Sequence, residues 1–399
     1  MTRARAAAEK NISSATVSDA VSAGPLSHLK VLDLSRVLAG PWATQFLGDL
    51  GAQVIKVERP GQGDDTRAWG PPWFDGPENA KVSAYFTCAN RNKRSVTLDF
   101  TTPEGAAKVR ELAAEADVVV ENFKRGALAK YGLDYPSLKA VKPDLVYCSI
   151  TGFGQTGPYA DRAGYDAMIQ GMGGLMSITG EPEGEPMKVG VAVVDLFTGM
   201  YAASGVLAAL AHRDRTGEGQ QIDVALFDVQ AAMLANQAAN YLATGKAPRR
   251  LGNGHPSICP YQAFEAGDGF LMLAVGNDDQ FARFCRVAEV PDLSTDANYA
   301  TNPARVANRD KLVPLLSELF LSRPRAWWIE RLEAAGVPCG PINTLDEVFT
   351  DPQLLSRGMV LEQDGLRMVG NPLKFSASPL PPPTSPPKLG EHDGDGFNE

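Results

Sequence analysis

The chain alternates between short, mainly apolar runs and longer stretches with one apolar face. LKVLDLS (29–35), QVIKVERP (53–60), SVTLDF (95–100), DVVVENF (117–123) and LVYCSI (145–150) are runs of strand length rich in β-branched residues. They lack in/out alternation, the mark of strands covered on both faces in a parallel sheet. Between them, RVLAGPWATQFLGDLGA and TPEGAAKVRELAAEA read as helices. The first is bracketed by Gly40-Pro41 and Gly51; the second opens on Thr102 as N-cap with Pro103 next. This β–α–β order predicts an α/β fold with a Rossmann-like parallel sheet over 28–225. Leu226 to Leu242 reads as a linker helix within 226–250. A smaller α+β domain follows over 251–335, its helices expected at 278–288, 302–321 and 325–335. Residues 336–399 read as a return linker and a proline-rich tail packing on the large domain.

One helical stretch carries a charge where none is expected. Asp195 sits in VGVAVVDLFTGMYAASGVLAAL among apolar and small residues. A carboxylate there is hydrogen-bonded, has a raised pKa, or awaits a ligand. Asp195 falls just before the helical pattern, so capping that helix and serving a ligand both stand as readings. Asp166, in GYDAMIQG, has similar glycine-lined surroundings. An aspartate nucleophile would form an anhydride that water destroys, so it needs a dry pocket and a cover. The glycine-flanked loop Gly252, Asn253, Gly254 and His255 is suited to that covering role.

Composition narrows the classes. The chain has 399 residues, 44% hydrophobic and 21% charged, with a net charge of −9. That size implies two lobes or one elaborated fold, and the charge argues against nucleic-acid and membrane partners. The run from Val189 to Leu210 is broken by Asp195 and glycines. Five scattered cysteines without CxxC suit a reducing compartment and neither a disulfide framework nor zinc. No GxGxxG follows the first strand, and no GxSxG, Walker loop or paired-histidine motif occurs, so no metal is expected. Residues 1–27 read as a disordered tail on a cytoplasmic protein. Their Arg, Ala and Ser content leaves a mitochondrial transit segment as the alternative.

From Leu34 to His392 the chain carries, in order, LSRVLAGPWATQFLGDLGAQVIKVERPGQGDDTR, NRNKRSVTLDFTTPEG, ADVVVENFKRGALAKYGLDY, ITGFGQTGPYADRAGYDAMIQGMGGLMSITG, VAVVDLFTGMYAA, TGEGQQIDVALFD, GVPCGPIN and LGEH. In these pieces it resembles the family III CoA-transferases, which include formyl-CoA and carnitine CoA-transferases and acyl-CoA racemases. WGPPW, AGYDAM, PMKVGVAVVDLFTG and GHPSICPYQAF are similar to the branch that passes CoA from succinyl-CoA to glutarate. The resemblance implies a two-lobed chain paired as an interlocked, ring-like homodimer. It implies CoA thioesters and carboxylic, mainly dicarboxylic, acids as substrates, with no permanently bound cofactor.

The resemblance also assigns residues. Asp195 would be the catalytic carboxylate, passing through aspartyl anhydride and aspartyl-CoA thioester intermediates. Tyr165 and Asp166 would shape its pocket, and Gly252 to His255 would cover it. Val37, Leu38, Ala39, Arg59, Leu98, Asn122, Phe123 and Lys130 would bind CoA. Leu38 stands where formyl-CoA transferase has glutamine, and Thr101 where it has lysine, so a larger acyl group is expected. Arg67, Arg91 and His255 are candidates for a distal carboxylate. The racemase branch, an alternative reading that would use Asp166, pairs its aspartate with a histidine. No histidine lies between His28 and His212 here. A non-catalytic CoA-binding homologue is the third reading.

Overall fold

A computed structural model describes residues 23–75 and 81–397. Residues 1–22 of the expected tail lie outside the described residues. Residues 23–27 enter a turn in which the Leu26 N–H donates to Leu50 O at 2.8 Å, and Leu26 packs on the core.

The apolar runs form the strands expected of them. β1 (Lys30–Asp33) and β2 (Gln53–Glu58) pair in parallel. A short hairpin, β3 (Trp73–Asp75) and β4 (Lys81–Ser83), precedes β5 (Arg94–Thr97). β6 (Val118–Glu121), β7 (Val146–Thr151) and β8 (Gln221–Ala225) complete a six-stranded parallel sheet of order β5-β2-β1-β6-β7-β8. This is the doubly wound order in which the chain reverses direction between β1 and β6, and ligands collect at the strand ends beside that reversal. Both sheet faces are covered. One core gathers Val31, Val118, Val146, Ile150 and the helix side chains Leu47, Val194 and Val206; the other gathers Leu32, Ile55, Val109, Val119 and Leu138.

Helix Val193–Thr216 lies on the sheet against helix Ala39–Asp49. Gly199 makes that approach possible: a Cβ there would stand 2.7 Å from Ala39 O. Among the described residues this is the one helix long and apolar enough to cross a bilayer, and about half of its apolar window is buried in the protein. Its end follows the usual signals, with Arg213 and Arg215 in the last turn and Gly217 left-handed beyond it.

The expected linker helix is two, Leu226–Met233 and Ala235–Thr244, broken where Ala235 takes φ +42°. The expected 302–321 helix is likewise split at Asn308 into Asn302–Ala307 and Arg309–Leu321. A second, smaller sheet has β9 (Tyr261–Ala266) and β10 (Gly269–Ala274) as a hairpin, with β11 (Cys339–Pro341) on the other side of β10. It has its own aromatic core, in which Phe264 stacks on Phe320 at 4.7 Å and Trp328 donates from Nε1 to Phe320 O at 2.9 Å. The return segment forms a last hairpin, β12 (Val360–Gln363) and β13 (Leu366–Val369). Beyond it the chain crosses back to the large sheet, where Phe397 enters the core.

Candidate active site

Where β1 and β6 diverge, the chain after β1 turns sharply before helix Ala39–Asp49. Val37 takes φ +71° there, a conformation a β-branched residue rarely adopts. Side chains hold it in place. The Val37 N–H donates to both Asp64 carboxylate oxygens at 3.3 and 3.2 Å. Asn122, just past β6, accepts from Arg36 N–H at 2.8 Å and donates to Arg36 O at 2.6 Å. Its amide thus extends the backbone ladder one step beyond the strand ends. No side chain caps the helix that follows, so its positive end faces the space beside the turn.

Two cavities open at this point. One, of about 410 Å3, is lined by Arg59, Leu98, Phe123 and Lys130 together with Phe100 and Tyr131. The other, of about 470 Å3, is lined by Val37, Leu38, Ala39, Asn122, Phe123, Tyr165 and Asp195. Arg36, Asp65 and Phe123 belong to both walls. The Arg36 guanidinium lies 5.0 Å over the Phe123 ring and 3.2 Å from Asp65. The expected CoA-binding residues therefore divide between two adjoining clefts, with Arg36 at the junction.

Beneath the clefts lies a layer of buried charge. Asp33, at the end of β1, accepts from Thr44 Oγ1 at 2.6 Å and Lys93 Nζ at 3.0 Å. Burial alone would raise its pKa, but Lys93 and Lys56 outweigh that and hold it near 2. Lys56 in turn pairs with Asp64 at 2.9 Å. The turn that shapes the site thus rests on ion pairs whose side chains are buried.

Asp195 lies inside its helix rather than ahead of it, at the third helical position after Ala192. It is not the cap. Asp166 is: its Oδ1 accepts from Val194 N–H at 2.8 Å and Asp195 N–H at 3.3 Å, while Gln170 holds its Oδ2 at 2.6 Å. Capping from another segment is geometrically sufficient, and it releases the Asp195 side chain toward the cavity. Backbone contact between Gly152 and Gly164 positions Asp166: a Cβ on Gly152 would meet Gly164 Cα at 2.6 Å. Burial, and then the negative charge of Asp166, raises the Asp195 pKa to about 7. Tyr85 feels the same charges. Burial and then Asp195 push its hydroxyl up to about 12, so it remains a donor at neutral pH.

Gly252, Asn253, Gly254 and His255 line neither cavity. The Gly252 N–H donates to Gly180 O at 3.0 Å, His255 N–H donates to Tyr261 O at 3.0 Å, and Arg309 donates to His255 O. Nor do two of the distal-carboxylate candidates face Asp195. Arg67 is bound by both oxygens of Glu58 at 2.6 and 2.7 Å, and Arg91 is bound by Asp49 at 2.5 and 2.8 Å. The cations in the Asp195 cavity are instead Arg36, Lys124, Arg125 and Arg162. Sequence reasoning singled out none of them, and did not single out Trp69 or Tyr85. Their spacing follows no helix or strand period; only the fold brings them together. Among the described residues no group of three or more His, Cys, Asp or Glu side chains could hold a metal ion.

Comparison with known proteins gives the family. A family model described as CoA-transferase family III matches residues 26–393. Succinate–glutarate CoA-transferase of Agrobacterium fabrum is 54% identical over 374 residues, 92% of this chain and 94% of that protein. Succinyl-CoA:glutarate CoA-transferase of Homo sapiens is 46% identical over 94% of this chain and 86% of its own length. The crystal structure of a CAIB/BAIF family protein from Brucella suis superposes with a TM-score of 0.84 at 55% identity, covering 92% of this chain and 97% of that one.

Proposed function

The chain belongs to CoA-transferase family III and is a CoA-transferase, and from that premise we propose that it moves CoA from succinyl-CoA to a dicarboxylic acid such as glutarate, with Asp195 as the covalent carrier. The donor and acceptor follow from the activities named for the A. fabrum and human relatives. The observation that carries the role of Asp195 is its placement: a carboxylate of pKa about 7 in a cleft adjoining the Arg59–Lys130 cleft.

In this reading the cationic Arg59 and Lys130 take the phosphates of CoA by charge-assisted bonds, and the thioester reaches past Arg36 and Phe123 to Asp195. An Asp195 oxygen attacks the thioester carbonyl; the C–S bond breaks, leaving an acyl–aspartyl anhydride and CoA thiolate. The thiolate attacks the aspartyl carbonyl, releasing the first acid and forming aspartyl-CoA thioester. The acceptor carboxylate displaces CoA to give a second anhydride, and the thiolate takes the new acyl group, restoring Asp195. A carboxylate titrating near neutrality is half ionised in the empty site, and is a stronger nucleophile than an ordinary aspartate. Asp166 holds the helix start as its cap, and the open helix end at Leu38–Ala39 offers positive potential for developing oxyanions.

The same reading pairs two chains as interlocked rings. In its favour, apolar side chains stand exposed on a single chain, among them Leu242 at 79%, Leu345 at 75%, Tyr165 at 71% and Val191 at 57%. No histidine lines either cleft, which leaves Asp166 without the second base that a racemase needs. The test is incubation with succinyl-CoA and glutarate, following glutaryl-CoA by mass spectrometry. Wild type should form it, and Asp195→Ala should form none while still binding CoA. Turnover by Asp195→Ala would remove the residue from the nucleophile's role.

A further inference from the structure

The LGEH motif near the chain end has no part in the chemistry above, yet the structure ties it to the site. β5 is an edge strand, and its outward amides need partners. The tail supplies them. Ser95 N–H donates to His392 Nδ1 at 3.3 Å, and His392 N–H donates back to Ser95 O at 3.0 Å. Thr97 N–H donates to Asp393 Oδ1 at 2.6 Å, and Arg94 binds Asp395 at 2.5 Å. So far this is edge protection, which many folds need.

The next contact goes inward. The buried Ser95 hydroxyl accepts from Gly390 N–H at 3.0 Å and donates to Glu58 Oε1 at 2.7 Å. Glu58 ends β2 on the cleft side of the sheet. Its two oxygens also hold Arg67 and the Asp64 N–H, the latter at 2.8 Å. Arg67 closes the circuit: it lies 3.8 Å over the Phe86 ring and donates to the tail at Pro387 O, 3.1 Å away. The loop pinned in this way, 59–67, supplies Arg59, Gln62, Gly63 and Asp64 to the first cleft, and Asp64 holds the Val37 turn of the second.

We propose that residues 387–393 are a positioning element for CoA. Docked on β5, they set Glu58 through Ser95 and so fix the loop that carries Arg59 and the Val37 turn. Ser95 and His392 are positioning residues; neither lines either cleft. The inference rests on the CoA-binding reading of these clefts.

Its test uses CoA itself as the probe, by titration calorimetry with the full chain, so that turnover is not required. One hydrogen bond contributes about 1 kcal/mol, which corresponds to about fivefold in affinity. Ser95→Ala should therefore weaken CoA binding about fivefold and raise KM for succinyl-CoA in step. kcat should stay within about twofold, because Asp195 and the Asp166 cap that positions it lie outside the chain of contacts running through Ser95. Ser95→Thr, which keeps the hydroxyl, should restore binding. If Ser95→Ala does not fold, His392→Ala in the full chain, which removes the side-chain partner of the Ser95 N–H, carries the same comparison. A purely structural tail predicts a lower Tm with unchanged CoA affinity, and that result would overturn the proposal. A wild-type chain with no affinity for CoA would overturn the functional reading beneath it.

Discussion

Asp195→Asn should make this protein more stable, by an amount that grows as pH rises from about 4 to 7. The side chain keeps its size, loses its charge, and leaves the Asp166 cap on the backbone N–H groups in place. In the folded chain the carboxyl pKa is raised from 3.8 to about 7 by burial and by Asp166. Each unit corresponds to about 1.4 kcal/mol, so the ionised form destabilises the fold by at most about 4 kcal/mol. The residue is only half-buried, and solvent screening brings the expected effect to about 2 kcal/mol. The sign follows from proton binding. Between pH 4 and 7 the folded chain holds a proton that the unfolded chain has released, so the contribution of this group to wild-type stability falls as pH rises through that window. Asparagine does not titrate. Its advantage should be small at pH 4.5 and complete above pH 7. Urea unfolding of both proteins at pH 4.5 and 8.5, at one fixed protein concentration, measures it. An advantage of equal size at both pH values, or a less stable variant at pH 8.5, would refute the assignment of a strained carboxylate to this cleft. The same variant should have lost transfer activity, so stability and function oppose each other at this one residue.

Asp166→Asn retains an oxygen for the helix cap but removes the like charge beside Asp195. The midpoint of the kcat/KM profile, expected near pH 7 for wild type from the Asp195 titration, should move to lower pH. The shift should be the smaller part of the total, since burial is the larger cause; an unmoved midpoint would show that Asp166 does not act on Asp195 by its charge. Gly199→Ala should destabilise by ~1–3 kcal/mol, because the new methyl would lie 2.7 Å from Ala39 O and 3.0 Å from Trp42 Cδ1. Urea unfolding would detect this, and a neutral result would mean that the two helices can separate at no cost.

The sheet was legible because wholly apolar runs such as VVV at 118–120 have few alternatives to a strand covered on both sides. Helix limits were less so. Nothing in the local pattern marks the breaks at Asn308 and Ala235, which lie inside stretches whose apolar spacing continues across them. The site was legible mainly by resemblance, since an isolated aspartate beside a helix supports two opposite readings. The structure separates them by putting Asp166 in the capping position.

From the chain alone, then, come the kind of sheet, the odd carboxylate in an apolar stretch and the family, because each is written in neighbouring residues. Which arginines are already engaged was decided only by folding: Arg67 by Glu58, Arg91 by Asp49. So were the left-handed Val37 held by Asp64 and the tail that reaches Glu58 through Ser95. These partners lie from nine to about three hundred residues apart. A hydrogen bond or ion pair acts over a few ångströms of space, and no spacing along the chain encodes which distant groups will be brought that close.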